Sequence, residues 1–171
     1  MTRAFALALA LVRFFSGLPS GPGRENPGPL RPDSFTLVKT IEVSGASGWT
    51  DTGLDVLVDQ EVWFEASGLV CLQTGNPEAY CGPEGINIRT MQQPLPEGNL
   101  GCLVGKVLQH VTIVEDPKTK EKIVREFGVV FPVGKAGWVR IPADGRLLLG
   151  PNENVTGDND GTFSVLIYGR D

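Results

Sequence analysis

Residues 146–168 read RLLLGPNENVTGDNDGTFSVLIY, two apolar segments separated by a polar loop. Apolar and polar side chains alternate from Thr162 onward, as they do in a strand with one buried face. The Gly, Pro, Asn and Asp residues between the two segments are typical of a connection between antiparallel strands. This stretch therefore predicts β-structure rather than an amphipathic helix.

Similar short strand patterns recur along the rest of the chain, separated by turn residues. They cover residues 35–43, 54–58, 61–66, 69–72, 103–107, 111–115, 122–127, 129–133, 138–141 and 146–149. A segment rich in Gly, Pro and Asn, residues 75–98, predicts a long loop, the kind of element that often carries a binding site. About ten strands at this spacing predict an all-β fold, an antiparallel β-sandwich.

Composition limits both the size and the partners of the fold. The chain has 171 residues, enough for one ordinary domain with an extension, and its 22 Gly and 13 Pro favour turns over long helices. With 15 basic and 20 acidic residues the net charge is −5, so the positive surface used to bind phosphate backbones is not expected. Nucleic acid is excluded as a predicted partner.

The N-terminal segment predicts export. Residues 1–15 combine a basic start with an apolar stretch, as a signal peptide does, and this stretch is too short to span a bilayer. Residues 16–34 are rich in Pro and Gly and predict a linker, so the folded domain is expected to occupy residues 35–171. The predicted location is secreted, periplasmic or at the cell surface, with no membrane span.

Three cysteines leave the disulfide pattern open. In an exported chain, Cys71 and Cys81 can close a short loop, whereas Cys102 is equally compatible with a buried free thiol. No Cys-x-x-Cys motif and no pair of histidines accompanies them, so a zinc or redox site has little support.

The loop between the last two strand patterns concentrates oxygen donors. Residues 151–161 contain three carboxylates, three Asn and no Lys or Arg. Calcium prefers such oxygens, although Asp158-Asn159-Asp160-Gly161 is also a good hairpin turn, and composition alone favours the turn. An EF-hand is excluded because Ile167 would occupy the position of its closing glutamate.

A resemblance to a known family favours the metal. The residues that carry it are DNDGTFSV (158–165) after LGPNE (149–153), together with EASG (65–68), GPEG (82–85) and GCLVGK (101–106). In this order, and over roughly residues 48–168, they resemble the calcium-dependent galactophilic lectins of the PA-IL (LecA) type. The resemblance implies an antiparallel β-sandwich of the jelly-roll or galactose-binding kind, in which one Ca²⁺ bridges the protein and the hydroxyls of a terminal galactose.

The resemblance also implies a set of site residues. The implied calcium ligands are the side chains of Glu153, Asp158 and Asn159 and the main-chain carbonyls of Leu72 and of Val155 or Thr156. The implied sugar-binding residues are Arg89, Gln92, Glu153 and Asp158. Residues 110–125 form an insertion that the typical lectin lacks, and the family implies self-association into a homo-oligomer.

We therefore predict a non-enzymatic, calcium-dependent module that binds galactose or a related sugar. Two alternatives remain. One is a structural or adhesion domain stabilised by calcium without sugar binding. The other is a glycoside hydrolase on a sandwich fold with Glu84 and Glu153 as its paired carboxylates.

Overall fold

The computed structural model describes residue 31 and residues 33–116, 118–120 and 122–170. The predicted signal peptide, residues 1–15, lies outside these residues, as does most of the predicted linker, residues 16–34. In the part of the chain that is described, no helix is long and apolar enough to cross a membrane.

Nine strands and one turn of 3-10 helix make up the secondary structure of the described residues. The strands are β1 (Phe35–Ser44), β2 (Thr50–Val56), β3 (Glu61–Cys71), β4 (Tyr80–Cys81), β5 (Leu103–Glu115), β6 (Lys122–Pro132), β7 (Ala136–Arg140), β8 (Gly145–Pro151) and β9 (Asp160–Arg170), and the 3-10 helix is η1 (Pro77–Ala79).

The strands form two antiparallel sheets. In the first, β1 pairs with β9 and β9 with β3, and the other edge of β3 pairs with β7 and, further along, with β4. In the second, the order is β2-β8-β5-β6. The predicted all-β sandwich is confirmed, and the loop between β8 and β9 connects one sheet to the other.

The alternating pattern of β9 places its apolar side chains in the core between the sheets. Phe163, Val165 and Ile167 are at most 2% exposed and belong to one cluster with Leu147 and Leu149 of the second sheet. Burial of side chains of this size stabilises a fold by about 1.5–3 kcal/mol each. The strands on either side of the 152–159 loop are therefore anchored in the main core.

A second cluster covers the outer face of the first sheet. It contains Phe35, Trp63 and Tyr168, all buried, and the Arg31 guanidinium lies 4.2 Å from the centre of the Tyr168 ring. Glu65 accepts hydrogen bonds from Trp63 Nε1 at 3.0 Å and from the Tyr168 hydroxyl at 3.2 Å. Glu65, part of the motif that carries the family resemblance, therefore has a structural role here.

Several predicted strand breaks are wrong because the strands continue through them. Residues 61–66 and 69–72 were expected as separate strands, but β3 runs from Glu61 to Cys71. Gly68 has φ +98°, and a Cβ there would lie 2.4 Å from the Thr162 carbonyl oxygen. Glycine thus keeps β3 paired with β9, where a larger residue would end the strand.

All three cysteines are buried free thiols, so Cys71 and Cys81 are not joined. The pairing of β3 with β4 sets Cys71 opposite Tyr80 and Cys81 opposite Val70. Since successive residues of a strand face opposite sides of a sheet, the two thiols lie on opposite faces. The Cys71 thiol instead donates to the Gln73 carbonyl oxygen at 3.1 Å.

We expect the stability of the fold to decrease at alkaline pH, in part through Cys81. Burial, with the nearby Cys102 and Glu84, raises the pKa of the Cys81 thiol from 9.0 to about 11. The folded chain then retains a proton that the unfolded chain loses, so the free energy of unfolding falls as the pH rises from about 9 to 11. Urea unfolding at several pH values measures this decrease. It should be smaller in Cys81→Ala, and an equal decrease in both proteins would contradict the assignment.

Candidate functional site

The loop between β8 and β9, residues 152–159, is called the acidic loop below. Glu153 Oε1 accepts hydrogen bonds from the main-chain N–H groups of Asn154 and Val155, both at 2.9 Å. Asn159 N donates to the Thr156 carbonyl oxygen at 3.3 Å. The start of the loop is therefore folded around the Glu153 carboxylate. Glu153 Oε1 is used in these bonds, which leaves Glu153 Oε2 and the Asp158 carboxylate for other contacts.

A second segment, after β3, is bonded directly to the acidic loop. The main-chain N–H and the hydroxyl of Thr74 both donate to the Asp158 carbonyl oxygen at 2.8 Å. Leu72 N donates to the Ala79 carbonyl oxygen at 2.9 Å, which folds residues 72–79 into a compact turn. These bonds bring Leu72, the predicted carbonyl ligand, to the same side of the molecule as Asp158.

Between these segments lies an open cavity of about 510 Å³. One part of its wall carries oxygen donors, from Gln73, Asn76, Glu78, Glu153 and Asp158. The other part is apolar and is formed by Leu72, Ala79, Ile86, Ile88, Leu100 and Val155. Three of the lining residues are acidic and none is basic, so the cavity has a negative potential that favours a cation.

Half of the apolar wall, Ile86, Ile88 and Leu100, comes from the long loop that precedes β5, and buried Asn152 holds this loop in place. Asn152 is fully buried, and its Oδ1 accepts a hydrogen bond from Leu95 N at 2.7 Å. Its Nδ2 donates to the carbonyl oxygens of Leu95 at 2.9 Å and Asn99 at 3.1 Å. Ile86 and Leu100 bond to each other through their main chains, at 2.9 and 3.1 Å. One amide side chain therefore joins the two walls of the cavity.

The structure brings four of the sequence-predicted site residues together around this cavity: Leu72, Glu153, Val155 and Asp158. Thr156 is partly buried within the acidic loop and is not a lining residue. Arg89 and Gln92 are exposed and are not lining residues either, although Ile86 and Ile88 of the same loop are.

Asn159 is the predicted ligand with the most unusual environment. It is 7% exposed, and its Nδ2 donates to the Gly45 carbonyl oxygen at 3.1 Å. Its Oδ1 is buried and has no hydrogen-bond partner in the described chain. A buried amide oxygen without a partner costs free energy, so its retention needs an explanation such as a bound cation.

The available donors fit calcium better than a transition metal. No group of three or more His, Cys, Asp or Glu in the described residues is placed to hold a metal ion. Calcium does not need such a group, because it also accepts amide and main-chain carbonyl oxygens. A site built from Glu153, Asp158, Asn159 and carbonyl oxygens satisfies this preference with only two negative charges.

Sequence reasoning missed the polar residues contributed by η1. Asn76 caps this short helix, with its Oδ1 accepting from Glu78 N at 3.1 Å, and Pro77 occupies the first helical position. Asn-Pro-Glu is a recognisable start of a helix. The long loop was expected to lack such structure, and Asn76 and Glu78 of this turn line the cavity.

The fold is similar to that of a solved structure, although comparisons of the sequence find no match. No protein-family model and no curated protein sequence matches the chain. Among solved structures, the fold is similar to the EclA N-terminal domain, described as a PllA-like lectin, at 20% identity and a TM-score of 0.53. This similarity covers 81% of the present chain and 100% of the other. The β-sandwich expected from the sequence resemblance is thus also the fold of a lectin domain.

Proposed function

We propose that the chain is a non-enzymatic carbohydrate-binding module that binds a sugar through a calcium ion held by the acidic loop. The observation that carries this proposal is the set of oxygens around one open cavity, with carboxylates at Glu153 and Asp158. Asn159, which follows Asp158 in the chain, is not a lining residue of the cavity, but its buried amide oxygen has no described partner. The similarity to a domain described as a lectin supports it.

In this proposal, each ligand residue makes a different contribution. Glu153 and Asp158 supply charge, Asn159 supplies a buried neutral oxygen, and Leu72 and Val155 or Thr156 supply main-chain carbonyls. Thr156 O already accepts a hydrogen bond from Asn159 N, which favours Val155 for the second carbonyl. When bound, calcium offers coordination positions to two neighbouring sugar hydroxyls, which replace water there.

The rest of the cavity suits a saccharide. Asp158 and Glu153 can accept hydrogen bonds from hydroxyls, while Ile86, Ile88 and Leu100 offer an apolar surface to the C–H face of the ring. We propose galactose or a related sugar with neighbouring hydroxyls as the terminal unit. Arg89 and Gln92, exposed outside the cavity, would contact only further units of a longer glycan.

The positions of His110 and Glu84 argue against a hydrolase. The sole histidine of the chain, His110, stacks on Phe127 with ring centres 4.5 Å apart and does not line the cavity. Glu84, the predicted partner of Glu153, is exposed and also absent from the lining. A calcium-stabilised domain without sugar binding remains the second candidate, because the burial of Asn159 is equally suited to a structural ion.

Calcium titration followed by thermal and urea unfolding tests the metal site. Free calcium at about 100 times its dissociation constant should add about 2.7 kcal/mol to the free energy of unfolding if only the folded chain binds it. Glu153→Gln and Asp158→Asn should each weaken calcium binding at least about tenfold, a change of about 1.4 kcal/mol. Asp160→Asn is the matched control, since Asp160 carries the same charge nearby but does not line the cavity. An unfolding curve that does not change on addition of calcium would contradict the proposed calcium site.

Glycan-array binding with and without a chelator tests the sugar. We expect binding of galactose-terminated glycans that is lost on chelation and in Asp158→Asn. Binding that persists under chelation would contradict a calcium-bridged sugar. Calcium stabilisation with no glycan bound would leave the structural domain as the function.

A further inference from the structure

The hairpin formed by β5 and β6 extends beyond the sandwich. β8 pairs with β5 only between Leu103 and Leu108, whereas β5 and β6 stay paired as far as Glu115 and Lys122. Residues 109–115 and 122–127, called the distal hairpin, thus form a two-stranded ribbon. A ribbon of this kind has no core of its own and is marginally stable in water.

Apolar side chains are exposed along the distal hairpin. The exposed fractions are 49% for Val111, 64% for Ile113, 40% for Val114, 58% for Val124 and 46% for Phe127. The pairing of β5 with β6 places Val111, Ile113 and Val124 on one face of the ribbon and Val114 and Phe127 on the other. Val111, Ile113, Val114 and Val124 all lie within residues 110–125, the insertion identified in the sequence.

The outer edge of the hairpin is the sheet edge. In the order β2-β8-β5-β6, the 11-residue strand β6 has a described neighbour only on its β5 side. The other side therefore presents main-chain N–H and C=O groups that can pair with a further strand. A partner that supplies a strand would satisfy these groups and set its own side chains beside those of β6, such as Val124.

We propose that the partner is a second copy of this chain, which pairs its own β6 antiparallel to the first across a two-fold axis at Val124. The two copies then form one continuous sheet, and the same face of this sheet points to the same side in both copies. This register sets Lys122 of each copy opposite Glu126 of the other. Opposite charges in directly paired positions stabilise a sheet, and Val124 meets its own symmetry copy between them.

Neighbouring registers are less favourable. Moving the axis to Arg125 places two guanidinium groups directly opposite each other, and moving it to Glu126 does the same with two carboxylates. Glu126 already contacts Lys106 within its own chain, with 2.6 Å between Lys106 Nζ and Glu126 Oε2. Its side chain is still 46% exposed, so it can also contact Lys122 of the other copy. Among these three registers, charge favours the pairing centred on Val124.

The dimer forms without calcium, and it has a consequence for ligand binding. No described residue of the distal hairpin lines the cavity beside the acidic loop, so pairing through β6 leaves both cavities accessible. Two sites in one dimer can bind a multivalent surface with an avidity well above the affinity of one site.

Sedimentation velocity over a concentration series of the full chain tests this proposal. We expect a reversible dimer for the wild type. Lys122→Glu alone and Glu126→Lys alone should each raise the dimer dissociation constant at least about tenfold, since like charges then face each other twice. An equimolar mixture of the two variants should dimerise again, because every glutamate at these two positions then faces a lysine of the other chain. Lys118→Glu is the control: it makes the same charge change outside β6.

Each result decides the proposal. Recovery of the dimer on mixing supports it, and misfolding of either variant cannot produce that recovery. A wild type that is monomeric at every concentration overturns it, as does a dimer that both variants leave unchanged. Equal dissociation by Lys118→Glu, or failure of the mixture to associate, also overturns the proposed register.

Discussion

Replacing Asn152 by alanine should lower the free energy of unfolding by about 2–4 kcal/mol. The change removes three hydrogen bonds from a fully buried side chain and leaves Leu95 N without its described partner. The carbonyl oxygens keep other bonds, from Gly98 N to Leu95 O and from Cys102 N to Asn99 O. A buried main-chain group left unsatisfied costs about 1–3 kcal/mol. Urea unfolding monitored by tryptophan fluorescence measures the loss.

The same substitution should weaken ligand binding, because residues 95–100 carry part of the apolar wall of the cavity. Asn154→Ala is the matched control: Asn154 is an exposed asparagine of the same loop, and its loss should change the stability by less than about 0.5 kcal/mol. Asn152→Asp separates the two halves of the amide, since a carboxylate can accept from Leu95 N but cannot donate to the two carbonyls. A loss below about 1 kcal/mol in Asn152→Ala would show that this amide does not hold the loop.

The core strands could be predicted because apolar and polar residues alternate along them, and this local pattern indicates which side chains are buried. Residues 162–168 were expected as a strand with one buried face, and Phe163, Val165 and Ile167 do point into the core. The continuity of the strands was less predictable. Gly68 signals a break when read locally, and only its close approach to Thr162 in the partner strand shows that glycine is needed inside the strand.

For the candidate site, the sequence predicted the acidic residues of the cavity wall but not its apolar residues. Glu153 and Asp158 lie within a few residues of each other, so a local excess of oxygen donors identifies both. The opposite wall depends on contacts between positions more than 50 residues apart, such as Asn152 with Leu95. Arg89 and Gln92 were assigned by family resemblance, which says nothing about where that loop turns outward.

Gly161→Ala should destabilise the fold by about 3 kcal/mol or more. Gly161 has φ +83°, and a Cβ there would lie 2.4 Å from the Leu69 carbonyl oxygen and 3.1 Å from Val70 Cα. Alanine is strained in this left-handed conformation by about 1–2 kcal/mol, and the close atoms are main chain, so side-chain rotation cannot relieve the overlap. Either β9 must move away from β3 at Val70, or the strain must remain.

Gly157→Ala provides the comparison within the same connection. A Cβ at Gly157 meets nothing within 4 Å, and its φ is not in the left-handed region. Alanine there restricts the unfolded chain and should leave the stability unchanged or raise it by up to about 1 kcal/mol. The two glycines should therefore respond in opposite directions when thermal unfolding is measured side by side. If Gly161→Ala were tolerated as well as Gly157→Ala, β9 would not approach β3 as closely as described. The placement of Asp158 and Asn159, which directly precede β9, would then lose its support.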